Sequence, residues 1–306
     1  MSAAALAPEL PSHRPIHYGP RRHIKAIRER LDALHFDHFE VVPQAPSLGA
    51  EIRGLDLREA LSPDVAADVE RALIEYKVLF FRDQDITKRQ HADFARNFGE
   101  LEVHPFIPQG ETPEIVRFVK DEDVVGVENN WHSDVSWREI PSLGSVLRAY
   151  EVPSVGGDTL WTDMEAVYEG LPDDLREAIE GKVAVHDFVH TFGLGLSEEE
   201  REEKRKEFPP AYHPIVRTHP VSGRKCVYVN PIFTRCIDGM GEAESEALLK
   251  RLYQETEVPE YQVRFRWAPN SIAFWDNRSS QHYAASDYWP ENRVMERLTI
   301  IGDKPI

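Results

Sequence analysis

The spacing of apolar residues changes along this chain, and each change predicts an element. Ile24, Ile27, Leu31 and Leu34 recur at helical intervals, so the N-terminal segment is expected to form an amphipathic helix. "FEVVPQAPSLGAEIRGLDL" reads as short strands around a Pro/Ser/Gly turn. Ser62 and Pro63 then suit an N-cap and first helical position, and Val69, Leu73 and Ile74 line one face of the following helix. "KVLFF" (77–81) predicts a buried strand. "DITKRQHADFARNFGEL" predicts a second helix with Phe94, Phe98 and Leu101 in line and Gly99 near its end. Beyond residue 100 the pattern breaks into short β-rich runs such as "SVLRAYEV", "GDTLWTD", "SIAFW" and "RVMERLTII". The charged run at 196–208 fits a solvated helix, with a mobile lid as the functional alternative. Helices followed by many antiparallel strands predict an α+β fold with a β-sandwich or jelly-roll core. No repeat or linker divides residues 38–306, so they are expected to form a single domain preceded by an extension, residues 1–37.

Composition narrows the function. The 306 residues carry a net charge of −17, which disfavours nucleic acid and anionic lipid as partners. No apolar run approaches the ~18 residues of a membrane helix, and no secretory signal is visible. Cys226 and Cys236 fit neither a disulfide framework nor a metal motif, so a cytoplasmic protein with reduced thiols is expected. The basic stretch holding Arg14, Arg21, Arg22, Lys25, Arg28 and Arg30 is the local exception. It predicts an arm packed on the body or on another subunit; Glu29 and Asp32 within it disfavour a transit peptide.

The candidate chemistry begins with a His-x-Asp spacing that occurs three times, at His35/Asp37, His91/Asp93 and His132/Asp134. On a helix, residues two apart point roughly 200° away from each other. His91 and Asp93 sit in the Phe94/Phe98 helix and cannot clasp one ion. His35 and Asp37 lie where the first helix runs out, with no alternation around them. "NWHSDVSW" does alternate, placing His132, Asp134 and Ser136 on one face of an expected strand and Trp131, Ser133, Val135 and Trp137 on the other. This pair can therefore present an imidazole and a carboxylate to one cation.

A third ligand must come from elsewhere, and a second polar cluster, "FWDNRSSQHYAASDYWPENRVMERLTIIGD", contains His282. Within it Arg293, Met295, Arg297 and Thr299 share one face of a strand, which sets the two arginines roughly 13 Å apart at Cα. Buried guanidinium groups need anions, and one carboxylate can hardly occupy both. Two His and one carboxylate on a small barrel form a facial triad that leaves adjacent positions open on Fe(II), as a bidentate 2-oxo acid plus O2 requires.

These fragments, together with "LGAEIRGLDL", "FFRDQDIT", "FGELEVHP", "GGDTLWT" and "HPIVRTHPVSGRKCVYVN", resemble the taurine dioxygenase family of Fe(II)/2-oxoglutarate-dependent oxygenases. The resemblance runs from about residue 40 to the C-terminus. It implies a double-stranded β-helix, or jelly-roll, core of antiparallel strands with flanking helices. It implies His132, Asp134 and His282 as iron ligands, and Arg293 and Thr159 as the anchor of 2-oxoglutarate. Arg297, His104 and the backbone of Val135 would grip a small anionic organosulfur substrate, between Phe192 and Phe233 as pocket walls. The implied reaction consumes 2-oxoglutarate and O2 and hydroxylates a taurine-like sulfonate at the carbon bearing sulfur. Succinate, CO2, sulfite and an aldehyde are released, and a dimer or tetramer is expected.

Two positions depart from the family pattern. Ile107 replaces a tyrosine three residues after His104, and Glu128 replaces an asparagine four residues before His132. A carboxylate in a sulfonate pocket repels the substrate unless it faces an ammonium, which makes Glu128 a candidate substrate contact. An alkyl sulfate, another sulfonate or a small carboxylate is therefore the alternative substrate. A non-catalytic module with a structural metal is the alternative class, but a closed site normally needs a fourth protein ligand. His186, His190, His213 and His219 are expected to be structural.

Overall fold

A computed structural model describes residues 14–107 and 112–306. The elements run α1 (His23–Asp32), β1 (Glu40–Pro43), β2 (Ala50–Arg53), α2 (Pro63–Tyr76), β3 (Val78–Phe81), α3 (Lys88–Arg96), β4 (Val116–Lys120) and β5 (Ser142–Glu151). They continue with β6 (Thr159–Asp163), α4 (Met164–Glu169), α5 (Asp173–Ile179), β7 (Val183–His186), α6 (Glu198–Glu207), β8 (Ala211–Pro214), β9 (Val216–Thr218) and β10 (Lys225–Val227). The last third contains β11 (Thr234–Ile237), α7 (Glu242–Thr256), β12 (Gln262–Phe265), β13 (Ile272–Asp276), β14 (Ser280–Ala284) and β15 (Arg293–Ile301).

Two sheets form the jelly roll. The larger has the order β1-β2-β3-β13-β5-β15-β4, antiparallel except where β2 lies parallel to β3. The smaller is β12-β6-β14. Strand β3 shows why they pack. Its alternate side chains face opposite ways, and both faces are apolar and buried. Val78 and Phe80 point toward the smaller sheet, where Phe80 stacks on Phe265 at 4.1 Å. Leu79 and Phe81 point toward the helices, joining Val69, Leu73 and Phe94 of α2 and α3. The β5, β13 and β15 strands are thereby clamped between helices and the second sheet. β15 carries Arg293 and Arg297, while β14 and β6 of the smaller sheet carry His282 and Thr159.

The helices follow their local signals where those are strong. Ser62 caps α2 with Pro63 at its first position, and Thr87 and Gln90 form a capping box on α3. α1 buries Ile27 and Leu31 in the main core and ties Arg30 to Glu75 at 3.1 Å, so this arm packs on the body of its own chain. α6 buries no residue, as a solvated helix should. No helix among the described residues is long and apolar enough to cross a membrane.

Three expectations need correction. Lys77 is not strand: it ends α2 at φ 64° and buries its ammonium 3.4 Å from Asp163 and 3.1 Å from Glu165. Helices do not stop at residue 100, since α4, α5 and α7 interrupt the strands. α7 escapes the periodic pattern because its buried face mixes Leu248, Leu249 and Leu252 with Ser245, Arg251, Glu255 and Thr256. An Arg251–Glu255 pair at 3.0 Å satisfies the charges there. Nor is "NWHSDVSW" a strand: only His132 pairs, as an isolated bridge, and residues 134–137 form a turn.

Candidate active site

That bridge is what assembles the site. His132 N–H donates to the His282 carbonyl at 3.0 Å, and His282 N–H returns the bond at 2.8 Å. The two imidazoles are thus held side by side, with ring centroids 4.2 Å apart. Asp134 reaches them through the turn, with Val135 at φ 49°, an uncommon conformation for a β-branched residue. Its Oδ1 lies 3.8 Å from His132 Nε2 and 4.0 Å from His282 Nε2. The three donor atoms lie within 4.8 Å of one another, and no other such group of His, Cys, Asp and Glu occurs among the described residues. Ser136, expected on the same face, turns away and meets His186 and Asn230 instead.

A shell of hydrogen bonds, most of them buried, aims these donors. His132 Nδ1–H donates to the Asn130 carbonyl at 2.8 Å, which leaves Nε2 as the lone-pair nitrogen. Ser145 Oγ donates to Asp134 Oδ2 at 2.9 Å, while Oδ1 faces the imidazoles and accepts from Arg297. Asn277 Oδ1 receives both the Asp134 N–H at 3.2 Å and the Trp275 indole N–H at 3.0 Å. Its Nδ2 donates to Ser142 Oγ, which donates to the Asp134 carbonyl. Burial pushes the His282 imidazole down to about 3, so it is a neutral donor at ordinary pH. Burial alone would raise the Asp134 carboxyl, but the Arg297 guanidinium and the Ser145 hydroxyl hold it well below the usual range. Two imidazoles and one carboxylate fit a divalent metal, and Fe(II) in particular.

The cavity beside these donors has a volume of about 240 Å³. Each residue proposed from the sequence lines it: His104, Glu128, Val135, Thr159, Phe192, Phe233, Arg293 and Arg297. Both arginines project from β15 into the one cavity. Arg293 Nε donates to the Gly157 carbonyl at 3.2 Å, while its buried Nη2 has no protein partner. Arg297 Nη1 donates to Asp134 Oδ1 at 2.7 Å, and its buried Nε has none. Unpaired guanidinium nitrogens in a buried cavity call for an anion. Thr159 Oγ1 accepts the Trp267 indole N–H at 3.0 Å, so its own proton is free to donate. Burial, followed by the charge of Arg297, lowers the His104 imidazole to about 4; its Nδ1 accepts the Phe106 N–H, which leaves Nε2–H as a neutral donor.

Glu128 departs from its expected state. It is not a free carboxylate: Oε1 meets Lys120 Nζ at 2.8 Å and Oε2 accepts the Val127 N–H at 2.9 Å. Lys120, Ser145, Trp275 and Asn277 do not stand out in the sequence, because only the folded chain turns their side chains toward the site. Only the position of Asn277, five residues before His282 in the polar cluster, is a hint.

The other His-x-Asp pairs fall away. His91 is buried in the core and donates to the Val146 carbonyl, while Asp93 is on the surface with Arg96. His35 and Asp37 touch each other at 3.0 Å, fully exposed and without a third donor. His186, His213 and His219 are buried in hydrogen-bonded structural positions, as expected.

Comparison with known proteins agrees with this geometry. Residues 40–299 match the family model described as "Taurine catabolism dioxygenase TauD, TfdA family". The alkylsulfatase of Acinetobacter baylyi is 34% identical over 264 residues, covering 84% of this chain and 83% of its own. The alpha-ketoglutarate-dependent sulfate ester dioxygenase of Pseudomonas putida is 34% identical over 284 residues, covering 90% and 93%. The crystal structure of a taurine dioxygenase from Burkholderia xenovorans superimposes with a TM-score of 0.77 at 35% identity, covering 88% of this chain and 91% of that one.

Proposed function

The chain belongs to the TauD/TfdA family, whose members are 2-oxoglutarate-dependent dioxygenases using Fe(II) and O2, and on that premise we propose that it oxidises a small organosulfur monoanion. The substrate is a sulfonate, taurine-like in size, or a sulfate ester. Attack falls on the carbon that bears the sulfur or the ester oxygen. The observation that carries this reading is one buried cavity containing a His/Asp/His donor set and two arginines with unpaired nitrogens. A metal, a dianionic cosubstrate and a monoanionic substrate match those three demands.

His132, Asp134 and His282 would hold the iron. Bound Fe(II) supplies the oxidation, with O2 as oxidant and 2-oxoglutarate as the co-reductant that leaves as succinate and CO2. The protein contributes position and dryness. Arg293 and the free proton of Thr159 take the distal carboxylate of 2-oxoglutarate. Arg297 and the neutral His104 take the sulfur oxyanion, next to the Val135 backbone. Phe192 and Phe233, ring centroids 6.3 Å apart, wall off water. A hydroxyl placed on the carbon next to sulfur makes the C–S bond labile: the new O–H loses its proton, the carbonyl forms, and sulfite departs with the bonding pair. On a sulfate ester the same step releases sulfate.

Two observations favour the ester as a second form of the substrate. Both curated relatives described above carry sulfate-ester names. The cavity also offers Ile107, Phe118 and Leu147 where an alkyl arm would lie. A panel of sulfonates and alkyl sulfates, assayed with iron and 2-oxoglutarate for sulfite, sulfate and succinate, tests the proposal. Succinate formation that no member of the panel stimulates would remove it.

A further inference from the structure

We propose that Lys120 and Glu128 act together as a charge filter, refusing substrates that carry an ammonium group and reserving their end of the cavity for an uncharged carbon arm. This rests on the reading of the site given above and names the substrate class more narrowly. The family's own amine substrate would be a poor one here.

The argument starts from what Glu128 already holds. A carboxylate four residues before His132, lining the cavity, would attract an ammonium if it were free. Both of its oxygens are engaged, one by the Lys120 ammonium at 2.8 Å and one by the Val127 N–H at 2.9 Å. Lys120 is itself well held: its side chain is only 12% exposed, and Nζ also reaches the Val125 carbonyl at 3.3 Å. On β4 it stands directly opposite Arg293 of β15, whose charge the cosubstrate carboxylate takes up. An incoming ammonium would meet Lys120 and would have to displace it to reach the carboxylate. Ile107, Phe118, Leu147 and Ala284 give the same cavity an apolar surface. Ile107 carries no hydroxyl that could solvate an amine. A methyl group suits such a surface; an ammonium of the same size does not.

Propane-1-sulfonate and 2-aminoethanesulfonate differ only by CH3 against NH3⁺, and they provide the test. With the full-length protein, iron and 2-oxoglutarate, wild type should favour the propyl compound in kcat/KM by about tenfold or more, the scale set by like charges a few ångströms apart. Lys120→Met keeps the length of the stem and bares Glu128, so the preference should shrink by a similar factor through improved use of the amine. Glu128→Gln, which leaves Lys120 unpaired, should sharpen the preference. Comparable kcat/KM for both compounds in wild type, or a ratio unmoved in a folded Lys120→Met protein, would overturn the filter. Calorimetric binding of the same two compounds needs no turnover and separates the two ideas. Unequal affinities with no turnover of any organosulfur anion would sink the reaction reading and support the filter, whereas equal affinities would sink the filter alone.

Discussion

Arg293→Lys isolates the role of a single planar group. Arg293 is 7% exposed, donates Nε to the Gly157 carbonyl, and leaves Nη2 buried without a protein partner. Lysine keeps the charge but cannot present two parallel N–H groups to a carboxylate, and it abandons the Gly157 carbonyl. A hydrogen bond to a charged group contributes ~1.5–3 kcal/mol, so about 2 kcal/mol should be lost. That corresponds to roughly 30-fold weaker 2-oxoglutarate binding. Calorimetric titration of 2-oxoglutarate in the presence of Mn(II), together with KM measured at saturating organosulfur substrate, gives the number. The KM for the organosulfur anion should change little, and Arg297→Lys should show the reverse pattern. Equal rises in both KM values for both variants would mean that the arginines share one anion, and the division of labour would be wrong.

Other consequences can be checked on the same protein. His282→Ala and Asp134→Asn should abolish Mn(II) binding by calorimetry. His35→Ala should leave it intact; His91→Ala should also bind metal but lose about 1–3 kcal/mol of stability, because a fully buried side chain and its hydrogen bond to the Val146 carbonyl are removed. Removal of the hydroxyl in Ser145→Ala leaves Asp134 Oδ2 without that donor, so metal affinity should fall by about tenfold or more. Burial holds the His91 and His213 imidazoles down to about 4, and His186 well below its ordinary 6.5. Between about pH 6.5 and 4 the unfolded chain therefore binds protons that the folded chain refuses. Stability should fall with pH across that window, by about 1.4 kcal/mol per unit for each group. Asp163, raised by burial to about 6, and Glu102 and Glu169, also raised by burial, oppose this, while His104 and His282, lowered by burial, add to it. A melting temperature that stays flat or rises from pH 6.5 to 4.5 would contradict the assignment.

Much of the site was legible because its chemistry is local. The Arg293/Arg297 alternation needs only the two-residue period of a strand, and both side chains do enter one cavity. The choice of His132/Asp134 over His91/Asp93 needs only helix geometry. The reason offered for that choice was nevertheless incomplete, since Asp134 is delivered by a turn at Val135 and not by strand alternation. No residue pattern announces a left-handed valine. What stayed hidden depends on contacts across the chain. Ser145 and Asn277 support Asp134 from β5 and from the turn after β13, at separations that periodicity cannot see. Glu128 stood out by its identity, yet its meaning changes once Lys120 is found beside it. The helix α7 was missed because its buried face is half polar, and the Arg251–Glu255 pair that makes this tolerable is visible only in the fold.

Oxygen-isotope labelling tests the central claim most directly. Turnover under ¹⁸O2, with iron, 2-oxoglutarate and an alkyl sulfonate or sulfate, should place one labelled atom in succinate and direct the other to the oxidised carbon of the organosulfur product. Succinate and sulfite or sulfate should appear in near-equal amounts. Release of sulfite or sulfate with unlabelled succinate, or without succinate, would contradict the account.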